Sequence, residues 1–194
     1  MHQRINRTVY FAPHRVHNRI MTTNDTQDRG GIVGGALTVA LLITLAVQNA
    51  VPPMATDMYS AAFPQITADL ATNSTMLGFT LTTFFVGFAT GQVLGGAISD
   101  QIGRRRPIIA GGIIALVGSM ICVFAPGIWV LLVGRVFQGL GGGVASSVAR
   151  AILVDVARGK MLARAMSLIQ AIVGFAPMLA PVIGAFIITH ATWR

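Results

Sequence analysis

The sequence has little charge and almost no cysteine. Only 10% of its 194 residues are charged, while 54% are hydrophobic. Soluble domains carry about 25% charged residues, so a globule this poor in charge could not cover its own surface. We therefore expect a membrane protein, with lipid as its solvent. The single cysteine, Cys122, lies within an apolar run and indicates neither a disulfide framework nor a metal site.

Basic residues outnumber acidic ones, and their positions decide what they mean. There are 14 lysines and arginines against 6 acidic residues, for a formal net charge of +8. A nucleic-acid-binding protein would carry such an excess on one helix face or patch, interleaved with aromatic residues. Here five of the 14 lie in the first 30 positions, and most others form two short clusters between apolar runs. We therefore expect no nucleic acid partner.

Catalytic groups at a useful spacing are also lacking. No cluster of histidine, cysteine, serine or carboxylate residues has the spacing of a catalytic site or a metal site. His2, His14 and His17 lie in the polar N-terminal segment, and His190 follows the last apolar run. We predict that the protein is not an enzyme and that it holds no metal or other cofactor.

Five long apolar runs follow a polar start. Residues 1–30 are basic and without apolar periodicity, which predicts a disordered cytoplasmic tail, and Met21 is a second candidate start codon. The first run is too long for a secretory signal core of roughly 7–15 residues. Each run is near or above the roughly 20 residues that cross a bilayer. The predicted spans are about 31–62, 76–98, 107–124, 127–156 and 163–189.

The loops between these spans differ in charge. Three arginines at 104–106 lie between spans two and three, and a second basic cluster at 158–164 lies between spans four and five. The opposite loops carry Asp69 but no lysine or arginine before Arg194. Because basic loops stay in the cytoplasm, we predict a multi-pass protein whose N-terminus is cytoplasmic.

Glycine recurs at helical spacing. Gly87, Gly91, Gly95 and Ser99 lie four residues apart along span two, which predicts a smooth groove for a second helix. Span four carries a further set of small residues, and no lysine follows them as a phosphate-binding loop would require. Packing is therefore the preferred interpretation of this set: Gly139, Gly141, Gly142, Gly143, Ala145, Ser146 and Ser147.

Span five combines proline with glycine. Pro177 and Pro181 lie one turn apart, between Gly174 and Gly184. Each proline removes a backbone hydrogen bond, so we expect this helix to bend.

Three ionisable residues lie inside spans: Asp57, Arg135 and Arg150. Such residues cost roughly 2.5–3.5 kcal/mol on insertion scales and usually face a cavity or a partner. Asp57 and Arg135 lie roughly 10 and 12 Å from the same outer face, at 1.5 Å per residue. Our hypothesis is that both line one polar cavity, with Asp57 as the proton acceptor and Arg135 favouring its ionised form. A static buried pair, or an Asp57 that caps the helix end, is the alternative.

Opposite charges also meet at the inner ends of the spans. Asp100 leads into the arginines at 104–106, and Arg150 and Asp155 close span four on the same side. Such charges can form a latch that holds one conformation and opens in another. Control of topology by positive charge is the alternative interpretation.

The loop after span two carries the most specific motif. Residues 96–106, Gly-Ala-Ile-Ser-Asp-Gln-Ile-Gly-Arg-Arg-Arg, resemble the loop signature of the major facilitator superfamily. Gln101 stands where that family usually has arginine. The residues that match are Gly96, Asp100, Gly103, Arg104 and Arg105.

Three further segments resemble motifs of the same family. Thr56-Asp57-Met58-Tyr59, with Pro64 after it, is similar to the first-helix signature of Bcr/CflA-type drug:proton antiporters, although Ser60-Ala61 replace Leu-Pro. Residues 174–184 look like a degraded fifth-helix antiporter motif, with Ala180 and Ala185 replacing glycines. Trp193-Arg194 looks like the start of the sixth helix. The fourth-helix motif, whose arginine is implicated in proton coupling, is matched by Arg135, Gln138, Gly139 and Gly141.

The resemblance covers residues from about 32 to 194 and implies an all-α integral membrane fold. It implies the N-terminal half of a twelve-helix bundle, here about five transmembrane helices plus the start of a sixth, with substrate held between the two halves. The function implied is proton-coupled efflux of drugs or small amphipathic compounds across the bacterial inner membrane by alternating access.

The implied partners are the lipid bilayer, a small-molecule substrate, protons, and the C-terminal half of the same protein. The proton gradient would supply the energy, and the fragment alone would be inactive. Two alternatives remain open at this point: a porter of the same family for a sugar or other metabolite, and a membrane scaffold that transports nothing.

Overall fold

The structure, a computed structural model, describes residues 39–193. The predicted tail at 1–30, the start of the first predicted span and Arg194 lie outside the described residues. Over the described range the chain is all-α, without a strand. Its helices are α1 (Val39–Ala61), α2 (Phe63–Asp69), α3 (Ser74–Ile102), α4 (Arg105–Val123), α5 (Ile128–Val156) and α6 (Gly159–His190).

Helices α3 to α6 are long and apolar enough to cross a membrane, with mean hydropathies between 1.4 and 2.3. They correspond to predicted spans two to five, and the largest difference at an end is four residues, at 102 against 98 and at 159 against 163. Helix α1, the described part of the first predicted span, is not among these four. It contains Pro52 and Pro53 together with the polar residues Asn49 and Asp57.

The connection between α1 and α3 contains a helix that the sequence did not predict. Helix α2 has only seven residues, too few to show a periodic pattern, and Pro64 lies in its first turn, where proline is tolerated. Helix α3 then begins at a cap, where the Asn73 side chain accepts a hydrogen bond from the Met76 N–H at 2.8 Å. Asn73 therefore caps the N-terminus of α3.

Helices α3, α4 and α5 pack through glycine. A Cβ atom added at Gly91 would overlap the carbonyl of Leu140, and one at Gly143 would overlap the carbonyl of Phe88. On the other side of α5, a Cβ atom at Gly118 of α4 would lie 2.8 Å from the carbonyl oxygen of Gly134. The predicted packing surfaces of spans two and four are thus confirmed, and they face each other.

Helix α6 packs beside α1, where the contact is made mainly by side chains. Gly184 is the exception, since a Cβ atom there would lie 2.8 Å from the Met58 carbonyl oxygen. Near the basic loops an apolar cluster joins α1, α5 and α6 around Leu45, Leu153 and Ile169. A second cluster, around Ile66 and Leu77, closes the opposite end.

Candidate functional site: a charged cavity and a buried arginine

A cavity of about 370 Å³ lies between α1, α3, α5 and α6, in the stretch between the two apolar clusters. Asp57 of α1 and Arg150 of α5 contribute the charged groups of its lining. Within residues 39–193, neither side chain makes a hydrogen bond or an ion pair with another group. The cavity therefore presents one free carboxylate and one free guanidinium.

Neutral polar groups complete the hydrophilic lining. The amides come from three different helices: Asn49 of α1, Gln92 of α3 and Gln170 of α6. Ser146 of α5 is only 2% exposed, and its hydroxyl has no partner in the described part of the chain. An unpaired buried hydroxyl costs free energy unless water or a ligand reaches it. These groups could satisfy the polar atoms of a bound molecule.

The α3 wall of the cavity is aromatic. Phe84, Phe85 and Phe88 all line it, and the rings of Phe84 and Phe88 are nearly parallel, with centroids 6.1 Å apart. Pro52 and Pro53 of α1 face this wall across the cavity. A flat apolar body could therefore lie against the rings while polar groups hold its ends.

Arg135 lies in a different environment, buried to 4% exposure on α5. Its guanidinium carbon lies 3.4 Å from the centroid of the Tyr59 ring, which is a cation–π contact between α5 and α1. Its Nη1 donates to Gln138 Oε1 at 3.1 Å. Its Nε has no hydrogen-bond partner among the described residues, and no carboxylate there forms an ion pair with it.

Hydrogen bonds connect this contact to two further helices, α3 and α4. Gln138 Nε2 donates to Ser119 Oγ of α4 at 3.0 Å, and Thr80 Oγ1 of α3 donates to the Tyr59 hydroxyl oxygen at 3.0 Å. The buried cation is therefore held by an aromatic face and an amide oxygen, and the network ties α1 to the helices around α5.

The structure does not bring Asp57 and Arg135 into one cavity as our hypothesis stated. Asp57 lines the cavity, while Arg135 is absent from its lining and packs against Tyr59. Residues two apart on a helix point in different directions, so Asp57 and Tyr59 leave α1 on different faces. The sequence gives the approximate depth of each residue in the membrane, but it does not give the direction in which the side chain leaves the helix axis.

At the end of the bundle that carries the basic loops, Arg104 joins the ends of α3 and α5. Its Nε donates to Asp155 Oδ2 at 2.8 Å, and its Nη1 donates to both the Asp100 carboxylate and Ser99 Oγ. The carboxylates of Asp155 and then Asp100 raise the pKa of the Arg104 guanidinium above its usual value, so it stays charged. Gly103 ends α3 with φ +85°, a conformation that favours glycine.

The other members of the predicted latch lie elsewhere. Arg150 points into the cavity with Asp57 and forms no ion pair with Asp155 in the described chain. The two are five residues apart on α5, which places them on different faces of the helix. Arg105 is exposed, and a Cβ atom at Gly96 would meet nothing within 4 Å, so packing does not explain either match to the loop motif.

The residues of the remaining predicted motifs divide between packed and exposed positions. Gly139 and Gly141 of α5 lie against the backbones of α3 and α4 respectively. In α6, Gly184 packs on α1, whereas Gly174, Pro177 and Pro181 are exposed on a helix that continues through both prolines. The expected bend of this helix stays a prediction.

Sequence reasoning missed the neutral part of the site. Tyr59 was quoted only as part of a motif, and no role was assigned to Asn49, Gln92 or Gln170. The available signal was polarity, because three amides inside otherwise apolar spans are as unusual as charges there. The grouping of the three amides around one space could not be read from their spacing.

The sequence matches one family profile and several known proteins. The profile of the family described as the Major Facilitator Superfamily matches residues 45–194. The chain is 34% identical over 158 residues to an uncharacterized MFS-type transporter, YdgK, of Bacillus subtilis, a match that covers 80% of this chain and 39% of that protein.

Proteins named multidrug resistance protein MdtL are similar as well. The one from Citrobacter koseri is 36% identical over 142 residues, and the one from Klebsiella pneumoniae is 34% identical over the same length. Each match covers 73% of this chain and 36% of the relative. The chain thus spans less than two-fifths of the length of these relatives.

Proposed function

Because this chain belongs to the major facilitator superfamily, we propose that it forms part of a proton-coupled exporter of drugs or other small amphipathic compounds. It is a multi-pass membrane protein and a transporter by family. The finer proposal concerns cargo, direction and energy source. Proteins named for multidrug resistance among its relatives support drug efflux.

The observation that carries the proposal is the Asp57 carboxylate in the cavity wall. It has no ion-pair partner among the described residues, and it shares the cavity lining with phenyl rings that could hold an apolar cargo. A carboxylate within a membrane span is costly and usually marks an ion or substrate path. We propose that Asp57 takes up the coupling proton and that cargo and proton occupy this cavity in turn.

Arg135 takes a different part in this proposal. It holds α1 to α5 through the Tyr59 ring. Tyr59 and Asp57 leave α1 on different faces. A shift of α1 that accompanies protonation of Asp57 would reach α5 through this contact. The ion pairs of Arg104 join α3 to α5 at the cytoplasmic side and would stabilise one conformation of the alternating-access cycle.

Orientation and partners complete the proposal. The basic loops at 104–106 and 158–164 favour a cytoplasmic N-terminus in a bacterial inner membrane. We propose that a second half of the same protein closes the cavity, since the relatives are more than twice as long as the matched segment. The proposal requires no cofactor, and the proton gradient is the energy source.

The test is uptake of a fluorescent drug into inverted membrane vesicles that contain the complete transporter. We expect a proton gradient to drive uptake, drug addition to release protons, and Asp57→Asn to reduce both to background. Asp57→Glu is the matched control, because it keeps a titratable carboxylate and should keep coupling.

Three other results would argue against the proposal of drug/proton exchange through Asp57. Proton release with a sugar or other metabolite, and none with drugs, would assign the protein to a different porter class. Full coupling in a well-folded Asp57→Asn variant would remove Asp57 from the mechanism. No transport of any kind, with normal membrane insertion, would favour a scaffold.

A further inference from the structure

The cavity carries charges of both signs on facing helices. Asp57 projects from α1 and Arg150 from α5, and they do not form a salt bridge with each other. Both side chains are half-buried. Charged groups removed from bulk water cost free energy unless a partner compensates them. The described residues supply no such partner, so the compensation has to come from what enters the cavity.

The position of Arg150 on its helix makes it part of the cavity wall. Gly142, Ser146 and Arg150 are four residues apart on α5 and therefore lie on one face. A Cβ atom added at Gly142 would lie 3.6 Å from the Pro52 ring of α1, and both Ser146 and Arg150 line the cavity. This face of α5 leaves space for a ligand, and the unpaired Ser146 hydroxyl provides a hydrogen-bonding group beside Arg150.

The chemistry of the two charged groups differs. A carboxylate attracts an ammonium group, whereas a guanidinium presents a planar fork that matches a carboxylate or another oxyanion with two parallel hydrogen bonds. A cavity for cations alone would gain nothing from the guanidinium, which would repel them. The aromatic wall of Phe84, Phe85 and Phe88 provides an apolar surface in the same cavity as the charged groups.

We infer that the cavity selects zwitterionic amphipathic compounds, with the cationic group at Asp57, the anionic group at Arg150 and an apolar body against the phenyl rings. This inference rests on the proposed function and makes it more specific. Arg150 is then a specificity-determining residue, and cationic compounds without an acidic group are the poorer cargo.

The test compares two dyes that share one aromatic body. Rhodamine B is zwitterionic, and its ethyl ester is a cation that lacks the free carboxylate. We expect the complete transporter to prefer rhodamine B in inverted vesicles. In Arg150→Gln, the ratio of rhodamine B uptake to ester uptake should fall by about tenfold, the factor that 1.4 kcal/mol represents.

Two further variants separate selectivity from folding. Arg150→Lys keeps the positive charge and should restore part of the preference for rhodamine B. Arg158→Gln removes the same charge at an exposed site outside the cavity and should keep the ratio of the unaltered protein. If Arg150→Gln inserts poorly, equilibrium competition between the two dyes for the purified Arg150→Lys variant should show a preference for rhodamine B smaller than that of the unaltered protein, because lysine lacks the planar fork of arginine; an unchanged preference would contradict the inference.

The outcomes distinguish this inference from the proposed function. Gradient-driven uptake of the ester with no preference for rhodamine B would overturn the inference and leave proton-coupled efflux standing. An unchanged uptake ratio in Arg150→Gln would overturn it too. Absence of gradient-driven uptake of either dye in the unaltered protein would overturn both.

Discussion

The two sides of this bundle are built by opposite means. Helices α3, α4 and α5, here called the glycine block, approach so closely that their glycines leave no room for a Cβ atom at Gly91, Gly118 or Gly143. Helices α1 and α6 meet the block and each other mainly through side chains, and the 370 Å³ cavity lies there. Close backbone packing excludes cargo, so the site forms where side chains keep the helices apart.

This difference extends to the polar groups. Helix α5 belongs to both sides: small residues face α3 and α4, while Ser146 and Arg150 face the cavity. Within a lipid-facing bundle, close packing of small residues supplies much of the attraction between helices. We therefore expect the block to behave as one body, and α1 and α6 to be the helices that move against it.

The largest loss of stability should come from adding a Cβ atom inside the glycine block. Gly143→Ala places a Cβ atom against the Phe88 carbonyl and 2.9 Å from the Gln92 nitrogen. We expect the free energy of unfolding to fall by about 1–3 kcal/mol, the usual cost of overpacking. The midpoint of thermal unfolding in detergent, followed by tryptophan fluorescence, measures this.

The neighbouring glycine is the control for that experiment. A Cβ atom at Gly142 would first meet the Pro52 ring at 3.6 Å, an ordinary contact on the cavity side. Gly142→Ala should therefore stay within about 0.5 kcal/mol of the unaltered protein. Equal losses for the two variants would show that the two faces of α5 do not differ as described.

A smaller loss of stability should follow from removing the contact between Tyr59 and Arg135, which joins α1 to the glycine block. Tyr59→Leu removes the ring over the Arg135 guanidinium and leaves a buried cation with one hydrogen bond from its Nη1. We expect a loss of about 0.5–2 kcal/mol in the free energy of unfolding. The same thermal unfolding assay applies.

Tyr59→Phe sharpens this measurement, because it keeps the ring and loses only the hydrogen bond from Thr80. It should retain most of the stability that Tyr59→Leu loses. If the Phe variant were as unstable as the Leu variant, the hydroxyl and not the aromatic face would be what holds α1 to the block.

The smallest loss of stability should come from the ion pairs of Arg104. Arg104→Gln removes the bonds to Asp100 and Asp155, which are exposed enough for solvent to screen them. We expect the free energy of unfolding to fall by less than in the other variants, and most at low salt. Unfolding midpoints at low and high salt would measure it. Arg105→Gln, one residue on and exposed, is the matched control; an equal, salt-independent change in both would contradict a role for the ion pairs.

Much of the fold could be predicted because the bilayer imposes simple rules. Length and hydropathy located α3 to α6 to within a few residues, since a span needs a fixed run of apolar residues. The four-residue glycine spacing also predicted which face of α3 would pack, because it matches the helical period. Helix α2 was missed because seven residues show no periodicity.

The candidate site was predicted only in part. The sequence identified Asp57, Arg135 and Arg150 as costly charges within spans, and it gave their approximate depth. It paired Asp57 with Arg135 and placed Arg150 in the predicted latch, whereas the structure places Asp57 with Arg150 around one cavity and Arg135 against Tyr59. The contact of Arg104 with Asp155 lies within the predicted latch. Small differences in rotation about the helix axis decide such pairings, and spacing along the chain does not contain them.

By itself, the sequence determined the solvent, the number of long apolar runs and the surfaces on which helices pack closely, because these depend on composition and on the period of a helix. The tertiary structure alone decided which charges share a space. That choice depends on how far each helix is turned toward its neighbours, and the turn is fixed by contacts such as Gly91 on Leu140, between residues far apart in the chain.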